Sequence, residues 1–283
     1  MGMIGRLHVG AGIVAGPVTW FPVWIEEPPP ADEFDLVLDG SAPLIVVEAD
    51  PPSVDALGIT NVSAAPVWVL EGETFPGGMQ DRVLASSVLL APGEATRVPV
   101  RCVEAQRWAG SRAHTRMGRF APLSVRGAML SGVAEGSAQS RVWEAVAQRR
   151  RARGLGSPGA SVREVLELAQ ALQASASLAG QHGVVVSIDG RVAALEVFAS
   201  GRHYAACHRA ILIAAAADAE GGRVKPCSAR SARRFARAVS ALSGMREPAP
   251  GLGGRLSASA EGVAASGACD PDGVAVHALA LAA

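Results

Sequence analysis

Lysine is almost missing from this chain. Of 26 basic residues only Lys225 is a lysine, and the rest are arginine. Together with the abundance of Ala and Gly, this points to a high-GC bacterial source and says little about mechanism. Cysteine is sparse as well. Cys102, Cys207, Cys227 and Cys269 are far apart and form no C-x-x-C pair. That excludes a disulfide scaffold and makes free thiols in a reducing compartment, the cytoplasm, the expectation. Aromatic residues are only 4% of the chain. The second half has few rings on which bases could stack, so no nucleic-acid partner is expected despite the cluster Arg149, Arg150, Arg151 and Arg153. The apolar run over residues 8–25 is interrupted by Gly10, Gly12, Gly16, Pro17 and Pro22. A membrane-spanning helix needs about 20 apolar residues without such breaks, so the run reads as two strands and a turn, and no membrane partner is expected. There is no G-x-x-x-x-G-K-[ST], H-E-x-x-H or G-x-S-x-G. Gly10, Gly12 and Gly16 miss the dinucleotide fingerprint, whose glycines must open a helix after a strand. His203, Cys207 and His208 share one predicted helix with nothing nearby to complete three or four ligands, so no metal site is expected.

What is present is enough apolar sequence, 49% of 283 residues, to bury a full core. The net charge is zero, but residues 1–105 carry 4 basic and 14 acidic side chains and residues 106–283 carry 22 and 12, a split of −10 and +10. This supports two physical units, 1–105 and 106–283, whose faces attract each other; an anion-binding second half is the other reading. The first unit alternates short apolar runs with turn chemistry at sandwich-like spacing. Its turns include Asp39-Gly40 and Pro92-Gly93-Glu94, and strands are expected at residues 66–70, 83–90 and 96–104. Pro99 inside the last of these marks an edge or a bulge. The second unit is expected to hold one strand at 121–130 and then helices. The helix at 138–153 should turn Val142, Trp143 and Val146 inward. A break follows at Gly154–Gly159. A second helix is opened by the capping box Ser161-Val-Arg-Glu164, carries Val165, Leu166, Leu168, Ala169 and Leu172 at helical spacing, and stops by Gly180. Two further helices are placed at 203–219 and 231–243. Asp189-Gly190 between two apolar β runs predicts a type I′ hairpin, and residues 252–283 read as two strands around Pro271-Asp272-Gly273. The fold class is α+β: an N-terminal antiparallel β-sandwich-like unit followed by helices packed on a small antiparallel sheet.

The chemistry concentrates between residues 70 and 108. Strand alternation puts Val67, Val69, Glu71 and Glu73 on one face. Gly77-Gly78 permits positive φ and close approach of a ligand or another backbone. Exposed amides there, beside Arg82, form a candidate anion cradle; a tight loop with Arg82 paired to a carboxylate is the structural alternative. Val98, Val100, Cys102 and Glu104 share an inward face. A carboxylate drawn inward needs a partner, and Arg82 and Arg107 are nearest in sequence. Cys102 is a nucleophile or, more commonly for a buried cysteine, an inert small hydrophobe.

Glu71-Gly-Glu73, Gly78-Met-Gln80-Asp-Arg82, Val98-Pro99-Val100, Cys102-Val-Glu104 and Arg107-Trp108, with the segment from Gln139 to Trp143 and Glu196-Val-Phe198, resemble the ARG and rhodanese-phosphatase-superfamily-associated protein domain family. Met79, Asp81, Arg101 and Gln106 depart from its pattern. The family is named for keeping company with ADP-ribosylglycohydrolases. The resemblance therefore implies, by association, a role related to NAD or ADP-ribose. On that reading the partner is an anionic small molecule. Arg82 and Arg107 neutralise phosphate, Gly77, Gly78, Gln80 and Trp108 complete the ligand site, and Glu73 or Glu104 is the general acid/base if there is catalysis. The rival reading is a non-enzymatic structural or protein-interaction module whose polar motif is an internal network. No cofactor is indicated by the motifs, and self-association is left open.

Overall fold

A computed structural model describes residues 5–30, 34–36, 38, 43–105, 107–130, 135–155, 161–169, 175–219 and 225–282. Among these residues the strands form three sheets, and no helix is long and apolar enough to cross a membrane.

The largest sheet has nine strands, all antiparallel. Val18–Ile25 pairs on one side with Leu7–Val9 and Ile13–Ala15 and on the other with Gly183–Ile188. Arg191–Phe198, Ala275–Ala282, Val263–Cys269, Gly254–Ala260 and Met245–Pro248 follow in that order. The sheet is larger than the sequence suggests because the strand Val18–Ile25, from the acidic first part, pairs directly through residues 18–23 with residues 183–188. Its faces follow the period-two rule of strands. Val18, Trp20, Val184 and Val186 lie in one core and Phe21, Val23, Ile25 and Val185 in another. The hairpin at Asp189-Gly190 is type I′, with φ of 49° and 82° at its two central residues.

Five helices, α1 (Leu123–Leu130), α2 (Glu135–Ala152), α3 (Val162–Ala169), α4 (Gly201–Asp218) and α5 (Ala229–Ser240), are described. The Ser200 and Ser228 side chains cap α4 and α5 by accepting from the amides of His203 and Ser231. α4 packs Tyr204, Cys207 and Ile211 into the core that holds Trp20, and α5 packs Ala232, Ala236 and Val239 into the core that holds Phe21.

The remaining strands form a β-sandwich-like part. A six-stranded sheet runs Ala113–His114, Leu44–Glu48, Ala56–Asn61, Ala95–Cys102, Arg82–Leu84, Thr74–Phe75, and a three-stranded sheet runs Val88–Leu90, Val67–Val69, Asp35–Leu36. Side chains from both, such as Leu57, Ile59, Phe75 and Val98 from the first and Val69, Val88 and Leu90 from the second, share one core. Pro99 sits where its strand changes partners: Ala95 to Pro99 pair with residues 60–56, and Val100 to Cys102 pair with residues 84–82. The Pro99 carbonyl accepts from the Ala85 amide at 2.9 Å, so the donor its ring lacks falls just past the end of the Arg82–Leu84 ladder.

Several local expectations need correction. The apolar run over residues 8–25 holds three strands rather than two, and residues 252–283 hold three, Gly254–Ala260, Val263–Cys269 and Ala275–Ala282, because Glu261-Gly262 makes a further turn. Residues 83–90 are not one strand; Arg82–Leu84 and Val88–Leu90 belong to different sheets. The chain crosses at buried Ser86 and Ser87, whose Ser87 hydroxyl accepts from the Glu71 amide at 2.9 Å. Within residues 121–130, Leu123–Leu130 is helix α1 rather than strand. Its first turn is held by Asp218, whose carboxylate accepts from the Ser124 amide at 2.9 Å and from its hydroxyl at 2.5 Å. Trp143 is 40% exposed because the inward stripe of α2 is Val142 and Val146. Leu168 likewise faces out from α3, where Val165, Leu166 and Ala169 are the buried set. The Asp39-Gly40 turn, residues 156–159 of the Gly154–Gly159 break, and Leu172 lie outside the described residues.

A buried charge cluster ties these layers together. Arg126 on α1 donates both Nη atoms to Glu196, at 2.9 and 2.8 Å, and His277 Nε2 lies 2.9 Å from the same carboxylate. All three side chains are nearly inaccessible. Burial alone would raise the Glu196 pKa, but Arg126 and His277 outweigh it and hold the value down to about 2. Glu71, also buried, enters from the sandwich side. Burial pushes its pKa up, against the pull of Arg126, Ser266, His277 and Arg255. Gly72, at φ +86°, lies so close to Arg126 that a Cβ would come within 2.5 Å of Nε.

Two outcomes follow from this cluster. Arg126→Ala leaves Glu196 buried against His277 alone and is expected to cost about 3–5 kcal/mol, measured by urea unfolding. Glu71 behaves oppositely with pH. Its folded-state pKa lies above the ordinary 4.5, so the unfolded chain ionises first and stability falls as pH rises past that value. Glu71→Gln should therefore raise the melting temperature relative to wild type at pH 8, with the gain shrinking toward pH 4; a gain constant across that range would mean that folding does not raise the Glu71 pKa.

Candidate functional site

The register Cys102↔Arg82↔Phe75 sets Arg82 in the middle of three strands. The preceding turn packs on Glu48 and His114. Gly77 and Gly78 have φ of +109° and +53°. A Cβ on Gly78 would lie 2.0 Å from His114 Nε2 and 2.6 Å from Glu48 Oε1, so only glycine fits there on both backbone and steric grounds.

The amides freed by this turn are occupied from inside. Gly77 N–H donates to Asp81 Oδ1 at 2.8 Å, and Gly78 N–H to the Ala113 carbonyl at 2.8 Å. Met79 N–H donates to Glu48 Oε1 at 2.7 Å, and Asp81 N–H to Glu104 Oε2 at 3.0 Å. The anticipated anion cradle thus holds three carboxylates of the chain itself.

The arginines are equally engaged. Arg107 donates from Nε and Nη2 to the two oxygens of Glu104 at 2.7 and 2.6 Å, and its Nη atoms also reach the carbonyls of Gly77, Gly78 and Ala109. Burial would raise the Glu104 pKa, but the Arg107 fork and the Asp81 amide outweigh it and hold the carboxyl below its usual range. Glu104 is half-buried and takes Arg107, one of the two arginines its strand position suggests. Arg82 is fully buried. Its Nη1 donates to Gln80 Oε1 at 3.0 Å, its Nη2 lies 3.9 Å from Glu48 Oε2, and its guanidinium sits 5.6 Å from the ring of Trp108. Gln80 Nε2 donates to the Glu104 carbonyl at 3.0 Å, which links the two arginines. The Trp108 indole is 46% exposed and forms the outer surface of the group.

Gly77, Gly78, Gln80, Arg82, Glu104, Arg107 and Trp108 are therefore brought together. Glu73 takes a separate partner: Arg116 donates to both its oxygens at 2.6 and 3.1 Å, with both side chains buried. Burial pushes the Glu73 pKa up, with Arg116 opposing. Cys102 donates its thiol to the Glu104 carbonyl at 2.8 Å, and burial raises its pKa. A thiol held protonated and hydrogen-bonded is a poor nucleophile. Among the described residues no group of three His, Cys, Asp or Glu is placed to hold a metal ion.

Sequence reasoning missed Glu48, His114, Arg116 and Ser161. Ser161 caps α3 through the Arg163 amide but also donates to Asp81 Oδ2 at 2.5 Å, while Glu164, expected to close the capping box, pairs with Arg150 at 3.0 Å. For Glu48 a signal existed: it ends the apolar strand Leu44–Glu48 on the face of the buried Val46. For His114, 66 residues further along, none did. Gln139, part of the motif set, clamps α2 to the strand by bonding both the amide and the carbonyl of Cys102, at 2.9 and 2.8 Å.

Because Arg107 neutralises Glu104 and also bonds the carbonyls of Gly77, Gly78 and Ala109, Arg107→Ala should destabilise the fold by about 3 kcal/mol, the low end for a buried pair since one side stays wet. The folded pKa of Glu104 is depressed, so its contribution is present above the ordinary carboxylate pKa and lost as pH falls through the folded value. The wild-type advantage over Arg107→Ala, read from melting curves, should shrink between pH 7 and pH 3.

No curated protein and no solved structure is a significant match to the chain. A family model does match, over residues 6–281, and so takes in the sandwich, the polar turn and the nine-stranded sheet together. By that match the chain belongs to the ARG and rhodanese-phosphatase-superfamily-associated protein domain family.

Proposed function

We propose that this chain is a non-enzymatic structural or protein-interaction module whose polar motif is an internal lock, acting in the cytoplasm beside ADP-ribose-processing proteins rather than as one of them. The observation that carries the reading is the saturation of the Gly77–Asp81 turn. Its donors at Gly77, Met79 and Asp81 face Asp81, Glu48 and Glu104, and Arg107 covers the outside. An anion entering here would have to displace a carboxylate already holding charge-assisted bonds, each about twice as strong as a neutral one. The association with ADP-ribose chemistry rests on the family name.

One observation favours the rival, recognition of ADP-ribose or NAD at this site. Arg82 Nε and Nη2 are buried without a hydrogen-bond partner, and the half-exposed indole of Trp108 lies directly over that guanidinium. A planar base stacked on Trp108 would bring its phosphates toward the partly exposed Arg107, with Glu104 the nearer acid/base.

The two readings separate in a melting experiment. A native-state ligand stabilises by RT ln(1 + [L]/Kd), about 2.7 kcal/mol at a hundredfold excess. Millimolar ADP-ribose and NAD are expected to leave the melting temperature unchanged. A shift that is lost in Trp108→Ala and kept in Arg151→Ala, a substitution in the distant arginine cluster, would overturn the proposal in favour of the ligand site. A shift lost in Arg151→Ala instead would place an anion site in the second half.

A further inference from the structure

Away from the polar turn, α1 stands off the end of the nine-stranded sheet and leaves a half-open cavity of about 420 Å³. That is within the range of small-molecule sites, about 300–1,000 Å³. Leu123 and Leu130 form one wall, and Ile188, Ala193 and Leu281 the other. The only polar corner among the described lining residues is made by Ser124, Arg149 and Asp218.

The corner decides the ligand's charge. Both oxygens of Asp218 already accept from Ser124, one from the hydroxyl and one from the amide. Arg149 donates to the Asp218 carbonyl at 2.7 Å, and its Nε lies 3.8 Å from the carboxylate, with both side chains about nine-tenths buried. One cation and one anion cancel. An incoming ammonium would meet Arg149, an incoming carboxylate would meet Asp218, and either would lose its hydration with no net charge to receive it. Apolar surface and a single neutral hydrogen-bonding group are what these walls and this corner accept.

We propose that this cavity is a binding site for a small, mainly apolar, uncharged molecule carrying one hydroxyl-like group. Ser124 and Asp218 face that group, and the α1 and sheet side chains cover the apolar body. The site lies outside the Gly77–Asp81 turn and does not depend on the module reading given above.

The test uses three eight-carbon probes that differ only in the head group: octan-1-ol, octanoate and octylamine, titrated at pH 7 into the full chain and followed by calorimetry and melting temperature. Octan-1-ol is expected to bind roughly tenfold more tightly than either ionised probe, the penalty of an unpaired charge in an apolar cavity. Ala264→Phe, which fills the cavity from the strand Val263–Cys269, should abolish octan-1-ol binding, and Ala95→Phe on the exposed end of a sandwich strand should not. Ala193→Phe reads the same cavity from the opposite strand if Ala264→Phe does not fold. The proposal is overturned if octan-1-ol gives no binding, if octanoate or octylamine matches it, or if its binding survives both filling variants. The probe comparison on the unmodified chain decides the head-group claim without any variant.

Discussion

An arginine with no solvent exposure cannot stay unpaired, and the layers of this protein are arranged around that constraint. Arg126 reaches Glu196 from α1, His277 braces the same carboxylate from the neighbouring strand, and Glu71 arrives from the sandwich. Four elements that are remote in sequence must be in register before the charges cancel. A misplaced α1 would leave an ionised group in a medium where its desolvation costs several kcal/mol. The cluster thus specifies how the sandwich, the helix and the sheet meet, which generic apolar packing does less sharply. It also fixes where α1 stands, and therefore the shape of the cavity beneath it.

The polar turn obeys the same rule in a second place. Gly77 and Gly78 are required because the backbone there runs against His114 and Glu48. The conformation that frees amides for an anion also brings Asp81, Glu48 and Glu104 close enough to take them. A motif rich in Gly, Arg and acidic residues is ambiguous for this reason. Donors that would cradle phosphate serve equally well to hold a protein's own carboxylates, and the partners' positions decide which.

What could be read from the sequence was whatever depends on neighbours along the chain. The Asp189-Gly190 hairpin, the helix α5 with Val239 inward and the alternation of Val98, Val100 and Cys102 are local patterns, and all are present. The segment 121–130 reads as a strand from the sequence because the contact that holds the first turn of α1, Asp218, comes from 94 residues away. The same limit hid half of the polar network. Arg107 with Glu104 is an i, i+3 pair and was within reach, whereas Glu48, His114 and Arg116 enter from strands and loops 30 or more residues distant from their partners. The pairing of residues 18–23 with residues 183–188 had no local mark at all.

That last pairing has a bearing on how the chain is made. Val18–Ile25, with Trp20, Phe21 and Val23 fully buried in the finished sheet, has its inner partner about 160 residues later. At roughly 5–20 residues per second, a growing chain carries this apolar strand for on the order of ten to thirty seconds before Gly183–Ile188 exists to cover its inner edge. The local hairpins with Leu7–Val9 and Ile13–Ala15 shield only the other edge. Closing the large sheet is therefore a late, high-contact-order step, and until it happens the inner edge of Val18–Ile25 stands without its strand partner.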